Sequence, residues 1–166
     1  NIPIVVDPIH KSTTNSLLVS KYDYLIINKI LSKLGPIFTP NLTEIKTLLN
    51  LKNMDKIPKE KLIKNFHDEY KSKVVLTSGD ESKSICEDFF LDEKLKVRSI
   101  KSKKIVTKNS HGTGCTFSTA LCVNLINKKN LHDSVVSAKK FTEKSLVLAP
   151  KLGLKYGPVG HRLFFR

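Results

Sequence analysis

The chain has 166 residues, 40% of them apolar, which is enough for one sizeable buried core and excludes a disordered or low-complexity protein. Its 29 Lys and Arg against 15 Asp and Glu leave a net charge of +14, which attracts anions without distinguishing nucleic acid, anionic membrane and phosphorylated small molecules. No apolar run reaches bilayer length, Asn1-Ile2-Pro3 is not a secretory leader, and Cys86, Cys115 and Cys122 lack the spacing of a disulfide framework or a zinc site. A cytoplasmic chain with reduced thiols is therefore expected.

Ile2-Pro3-Ile4-Val5-Val6 is a short apolar run ending at Asp7-Pro8, the pattern of a buried parallel strand followed by a loop. Ligands of open α/β sheets gather at the carboxyl ends of strands, so Asp7 is either a neighbour of magnesium or phosphate or simply the start of an Asp-Pro loop. Residues 10–16 read as loop. Leu18, Tyr22, Leu25, Ile26, Lys29, Ile30 and Leu34 then approximate helical spacing and predict an amphipathic helix stopped by Gly35-Pro36. Ile37-Phe38-Thr39 resembles a very short strand. It leads into Pro40-Asn41-Leu42-Thr43-Glu44, where Asn41 is placed to cap the next helix and Glu44 to close a capping box. That spacing needs no ligand, although Glu44 also suits an indirect magnesium ligand.

A further helix is predicted from Pro58 or Lys59 to about Tyr70, with Leu62, Ile63 and Phe66 inward, and a buried strand follows at Val74-Val75-Leu76. The strand ends in Thr77-Ser78-Gly79-Asp80, whose hydroxyls and glycine amides suit nucleotide phosphates as well as they suit an ordinary turn. Segments 84–91 and 95–107 read as lysine-rich edge strands. Next comes Lys108-Asn109-Ser110-His111-Gly112-Thr113-Gly114-Cys115-Thr116-Phe117, with Phe117, Ala120, Leu121, Leu125 and Ile126 on one helical face behind it. Gly112 and Gly114 permit backbone conformations closed to other residues and a close approach to an anionic oxygen. The first amides of the helix, carrying the positive end of its dipole, would converge on a phosphate or developing oxyanion. A thiol at that position has a lowered pKa, which makes Cys115 a candidate proton acceptor. The alternative is a tight turn into a core helix, with Cys115 and Cys122 as small buried hydrophobes. Asn130 and Asp133 then begin a helix carrying Leu131, Val135, Ala138, Phe141, Thr142, Ser145 and Leu148. Pro150 ends it, and residues 152–161 are turn-rich.

Taken in order, Val6-Asp7-Pro8, Thr39-Pro40-Asn41-Leu42-Thr43-Glu44, His111-Gly112-Thr113-Gly114-Cys115-Thr116 and Gly157-Pro158-Val159-x-His161 resemble hydroxymethylpyrimidine and phosphomethylpyrimidine kinases. These are thiamine-pathway enzymes of the ribokinase-like fold, and the resemblance covers almost the whole chain. It implies an α/β three-layer sandwich with a mostly parallel central sheet, with residues 1–166 as a single, partial kinase domain. The implied reaction is ATP-dependent phosphorylation of the hydroxymethyl group of hydroxymethylpyrimidine, or of its existing phosphate. Cys115 stands where the family places its catalytic base, and Gly112, Thr113 and Gly114 where it builds the anion hole. Asp7, Asn41 and Glu44 match the neighbourhood of magnesium and the ATP phosphates, with Asp7 and Glu44 on the metal side.

The departures are informative. Thr77-Ser78-Gly79 replaces the family's usual Lys-Gly-Gly, which removes a cation from the nucleotide phosphates. It resembles the related pyridoxal kinases, whose hydroxyls there contact ATP. Ile9-His10-Lys11 replaces the usual Val-Met. Family members begin upstream with a glycine-rich substrate loop, so the chain resembles the C-terminal portion of such a kinase, with a sheet edge that invites a homo-oligomer or another chain. The partners implied are a small-molecule pyrimidine and ATP. No nucleic-acid module accompanies the scattered lysines, so no specific nucleic-acid or membrane partner is expected. The competing readings are a pyridoxal kinase-like enzyme and a catalytically inactive basic binding or regulatory module.

Overall fold

The computed structural model describes residues 2–12, 16–51, 57–77, 84–127, 130–150, 152 and 157–161. The chain falls into two compact units, Asn1–Lys104 and Ile105–Arg166.

In the first unit the apolar runs become β1 (Val5–Val6), β2 (Ile37–Phe38) and β3 (Lys73–Leu76), followed by the longer β4 (Ile85–Leu91) and β5 (Val97–Lys103). They form one five-stranded sheet in sequence order. β1, β2 and β3 pair in parallel, with Val6 opposite Phe38 and Phe38 opposite Val74, whereas β4 is antiparallel to both β3 and β5. Only β4 therefore runs against the common direction, which makes this the mostly parallel α/β sheet that the sequence predicts. The first strand is shorter than expected, and Ile2 and Ile4 are exposed. β4 is also not an edge strand. Phe89, Phe90 and Leu91 are an apolar run buried between β3 and β5, and the lysine-rich β5 takes the outer place among the described strands. Asp92 shapes the β4–β5 turn by accepting from the Lys94 and Lys96 amides, each at 2.9 Å, and from Arg98 Nε at 2.9 Å.

Three helices join these strands: α1 (Lys21–Ser32), α2 (Leu42–Leu48) and α3 (Lys59–Tyr70). The core between them and the sheet gathers Phe38, Ile45, Leu48, Leu62, Ile63, Phe66, Tyr70, Val74, Leu76 and Phe89. Phe66 stacks on Tyr70 at 4.6 Å and meets Phe38 edge-on at 5.2 Å, a geometry that the aromatic quadrupoles favour. The Tyr70 hydroxyl donates to Leu48 O at 3.0 Å, and burial followed by Glu69 pushes the phenol up to about 12. Lys71 in the left-handed conformation (φ 51°) closes α3.

α1 forms where the spacing predicts it, but it turns the other way. Tyr24, Asn28 and Ser32 are buried, with Leu25 and Leu31 packed beside the core, whereas Leu18, Tyr22, Ile26, Ile30 and Leu34 are exposed. The polar side can go inward because each of its groups finds a carbonyl. The Tyr24 hydroxyl donates to Pro8 O at 2.7 Å, Asn28 Nδ2 to Tyr24 O at 2.7 Å and Ser32 Oγ to Lys29 O at 2.8 Å.

In the second unit α4 (Thr113–Ile126) packs on α5 (Leu131–Val147). Asn130 caps α5 by accepting from the Asp133 amide at 2.8 Å. The buried apolar residues of the two helices are Phe117, Leu121, Leu131, Val135 and Ala138. The small hydroxyls of Ser118, Thr142 and Ser145 are buried as well and donate back to the carbonyls of Gly114, Ala138 and Phe141. Phe141, expected inward, is 37% exposed and lies nearly parallel to the His161 ring at 6.4 Å. Cys122 is half-buried.

A pH dependence follows from the first loop. His10 is buried with its ring centroid 4.5 Å from that of Tyr24, and burial, reinforced by Lys11 and Lys21, holds its imidazole below the usual 6.5. The unfolded chain then binds the His10 proton at a pH where the folded chain does not, so stability is full above the unfolded value and falls as pH drops through it towards the folded one. Melting temperature measured from about pH 7.5 down to about pH 5.5 should fall more steeply for the wild type than for His10→Leu. Parallel slopes would remove His10 from the acid response.

Candidate functional site

The parallel ladder of the first unit aligns the carboxyl ends of three strands, and with them the residues that follow. The Thr39 amide donates to Val6 O at 3.0 Å, and the Thr77 amide to Pro40 O at 2.9 Å, so that Asn41 and Thr77 form a parallel bridge just beyond the strands. Asp7, Asn41 and Thr77 thereby share one rim. Ser78 and Gly79, predicted beside Thr77, lie outside the described residues.

Asn41 and Glu44 make the capping box that their spacing predicts. Asn41 Oδ1 accepts from the Glu44 amide at 2.9 Å, and Glu44 Oε2 accepts from the Asn41 amide at 2.8 Å. Glu44 nevertheless belongs electrostatically to the rim. The Tyr24 phenol is pushed far above its ordinary range by burial first, then by the Glu44 carboxylate, Tyr70 and Asp7, so both carboxylates act on one buried hydroxyl. Asp7 Oδ2 is shielded from solvent. Among the described residues no three His, Cys, Asp or Glu side chains cluster as a metal cage. Magnesium commonly takes only one or two carboxylates from a protein, the rest of its shell coming from phosphates and water, and Asp7 and Glu44 are the carboxylates that act on Tyr24 here.

In the second unit, Gly112 is the N-cap of α4 with φ 88°, a left-handed backbone in which any side chain is strained. No side chain caps this end of the helix. Thr113, Gly114 and Cys115 form the first helical turn, and Cys115 is exposed. The expectation that both glycines exploit special backbone freedom holds for Gly112 alone, because Gly114 lies inside α4 and is absent from the positive-φ glycines. Its missing side chain still leaves the helix end open to close approach. The exposure of Cys115 removes the buried-core alternative for that thiol.

The turn is held from behind by the segment at 157–161. His111 and Pro158 form a parallel bridge, in which the His111 amide donates to Gly157 O at 3.0 Å and the Val159 amide to His111 O at 3.2 Å. The Gly157 amide donates to Lys108 O at 3.2 Å, and the Gly160 amide to Ser145 O at 2.9 Å. A Cβ on Gly157 would run into Asn109 Oδ1 and the carbonyl of Leu152, so only glycine lets this backbone lie so close. Thr116 and His161, quoted in the sequence motifs without a role, meet here: Thr116 Oγ1 is 2.7 Å from both Gly112 O and His161 Nε2. No local spacing signals a contact between residues 45 positions apart. The one available sign is the Gly-Pro punctuation before a buried valine at Val159.

The family model described as phosphomethylpyrimidine kinase matches residues 1–160. The hydroxymethylpyrimidine/phosphomethylpyrimidine kinase of Staphylococcus aureus (strain MRSA252) is 31% identical over 170 aligned residues, covering 100% of this chain and 60% of that protein. The thiamine biosynthesis bifunctional protein ThiED of Geobacter sulfurreducens is 28% identical over 160 residues, covering 96% of this chain and 32% of that one. Among solved structures, the pyridoxal kinase from Staphylococcus aureus in complex with AMP-PCP superposes with a TM-score of 0.82 at 25% identity, over 96% of this chain and 58% of that one. The chain thus spans about 60% of the length of its staphylococcal relative and shares the ribokinase-like α/β fold of the pyridoxal kinases. With the family's model running through both the strand-end rim and the Gly112–Cys115 turn, the chain belongs to the phosphomethylpyrimidine kinase family.

Proposed function

We propose that this chain carries the nucleotide-side and acid–base machinery of an ATP-dependent kinase that phosphorylates hydroxymethylpyrimidine or its phosphate in thiamine biosynthesis. The observation that carries the reading is the left-handed Gly112 opening α4 with an exposed Cys115 in its first turn. Phosphoryl transfer asks the protein for position and for compensation of charge on the transferring oxygens more than for covalent chemistry. The amides of Gly114 and Cys115 in the first turn of α4, which Gly112 and Thr113 open, supply that compensation as an anion hole, the Thr113 amide itself donating to Ser110 O at 3.2 Å. Cys115 takes the proton of the acceptor hydroxyl, because a thiolate in the first turn of a helix is favoured by the same field.

In the first unit Asp7 and Glu44 would hold magnesium, which when bound compensates the charge of the ATP phosphates. Asn41, Thr77, Ser78 and Gly79 would contact the nucleotide. Without the family's lysine at this rim, nucleotide binding depends on hydroxyls, amides and metal, and is expected to be weak. A pyridoxal-like acceptor is the second reading. It is favoured by Thr77 at the rim and by the likeness to a pyridoxal kinase.

Alkylation of Cys115 tests the carrying observation, read as a pH profile because exposure alone already favours Cys115 over the half-buried Cys86 and Cys122. The midpoint for Cys115 should lie at least about one unit below the ordinary thiol value of about 8.5, and magnesium-ATP should slow the reaction. An ordinary midpoint with no protection removes the base and the anion hole together. Binding that disappears with salt and ignores magnesium would instead support a basic anion-binding module, consistent with the +14 charge.

Glu44 is separable from its cap. Glu44→Gln keeps a group able to reach the Asn41 amide, so melting should change by less than about 0.5 kcal/mol, while the magnesium dependence of ATP binding, read by calorimetry, should be lost. Asn41→Ala, which removes the cap itself, should cost about 1 kcal/mol. Unchanged magnesium dependence in Glu44→Gln would return Glu44 to a purely structural role.

A further inference from the structure

The hydroxyl of Thr116 has one hydrogen and two close polar neighbours. Gly112 O, at 2.7 Å, is a carbonyl and can only accept. The hydroxyl proton is therefore committed to Gly112, and the contact of 2.7 Å to His161 Nε2 is a hydrogen bond only if the imidazole donates. With the His161 proton on Nε2, the chain Nε2–H to Thr116 Oγ1, then O–H to Gly112 O, fastens the carbonyl of the left-handed cap. That same carbonyl also accepts the Thr116 amide at 2.9 Å, so the hydroxyl and the amide of one residue converge on the peptide that opens the first turn. The Thr116 side chain is buried, whereas His161 stays exposed, held by the bridge between His111 and Pro158 and by its near-parallel placement against Phe141.

We propose that His161 is a positioning residue which, through Thr116, orients the Gly112 carbonyl and with it the amides of Gly114 and Cys115 and the Cys115 thiol. The proposal deepens the reading of this turn as anion hole and base, and rests on it for its functional meaning. A donor fixed behind the cap polarises the hydroxyl and strengthens the bond to Gly112, as chains of hydrogen bonds do. Loss of the donor lets the hydroxyl turn towards other acceptors, and the cap peptide loses its fixed tilt. The segment 157–161 then has a defined task, which is to deliver one N–H to one buried oxygen.

The full 166-residue chain allows a test that needs no turnover. Long-range proton–nitrogen NMR of the imidazoles should show the His161 proton on Nε2, and a ring protonated on Nδ1 alone overturns the proposal. His161→Phe keeps a ring against Phe141 and removes the donor, whereas His161→Gln places an amide N–H near the same point. In the Phe variant the backbone amide shifts of Gly114 and Cys115 should move, and the pH midpoint of Cys115 alkylation should rise by about half a unit or more, the scale of one hydrogen bond. The Gln variant should return both towards wild type. A Phe variant indistinguishable from wild type, or a Gln variant as impaired as Phe at unchanged melting, overturns the proposal. Should His161→Phe fail to fold, Thr116→Val against Thr116→Ser makes the same comparison with the same readouts. If ATP neither binds nor protects Cys115, the kinase reading fails separately, and the tautomer and the two amide shifts still decide the positioning role.

Discussion

The constraint on which the first unit depends is the parallel pairing of β1, β2 and β3. Parallel neighbours cannot be joined by a hairpin, so each connection must cross the sheet, and α1 to α3 are those crossings. The same pairing brings the strands' carboxyl ends to one side, which is why three unrelated short sequences, ending in Asp7, Asn41 and Thr77, meet at a single rim. Burial supports this from beneath. Phe38 and Val74, at the centre of the ladder, are fully enclosed, and Phe66 and Tyr70 set their rings at steep angles against Phe38, so the register of β2 cannot slip without exposing them.

The second unit opens α4 by another route. Among the described residues it has no named strand, only the isolated bridge between His111 and Pro158. It uses a backbone conformation open to glycine and a segment laid so close behind it that another glycine is needed to fit. The difference matters for tolerance to change. A rim made by register is expected to accept many side chains at its margins. A turn made from a left-handed cap and a near backbone contact accepts very few.

Much of this was legible in the sequence because it is written in local chemistry. The capping box at Asn41 and Glu44, the α3 stripe of Leu62, Ile63 and Phe66, and the helix opening after Gly112 each rest on neighbours within one or two turns. What was not legible depends on partners far along the chain. The apolar spacing in α1 is real, but spacing reveals a stripe and not what covers it. Tyr24, Asn28 and Ser32 go inward because carbonyls at Pro8, Tyr24 and Lys29 satisfy them. β4 looks like an edge strand from its charged first half, and its place inside the sheet is set by Phe89, Phe90 and Leu91 pairing with β3 and β5. At the candidate site the ordered motifs named Asp7, Asn41 and the turn from Gly112 to Cys115, while the 2.7 Å approach of His161 to Thr116, 45 positions apart, had no trace in spacing or composition.

The outward stripe on α1 has a bearing on how the molecule behaves in solution as a colloid. Tyr22, Ile26 and Ile30 on α1, with Leu18 before it and Leu34 after it, are exposed hydrocarbon on a chain with fourteen excess positive charges. At low ionic strength like-charge repulsion keeps such surfaces apart. Above roughly 0.1 M salt the repulsion reaches only about 10 Å, while the attraction between hydrocarbon surfaces is undiminished. Salt, which makes many basic proteins easier to handle by releasing adsorbed polyanions, is here expected to lower the barrier to self-association.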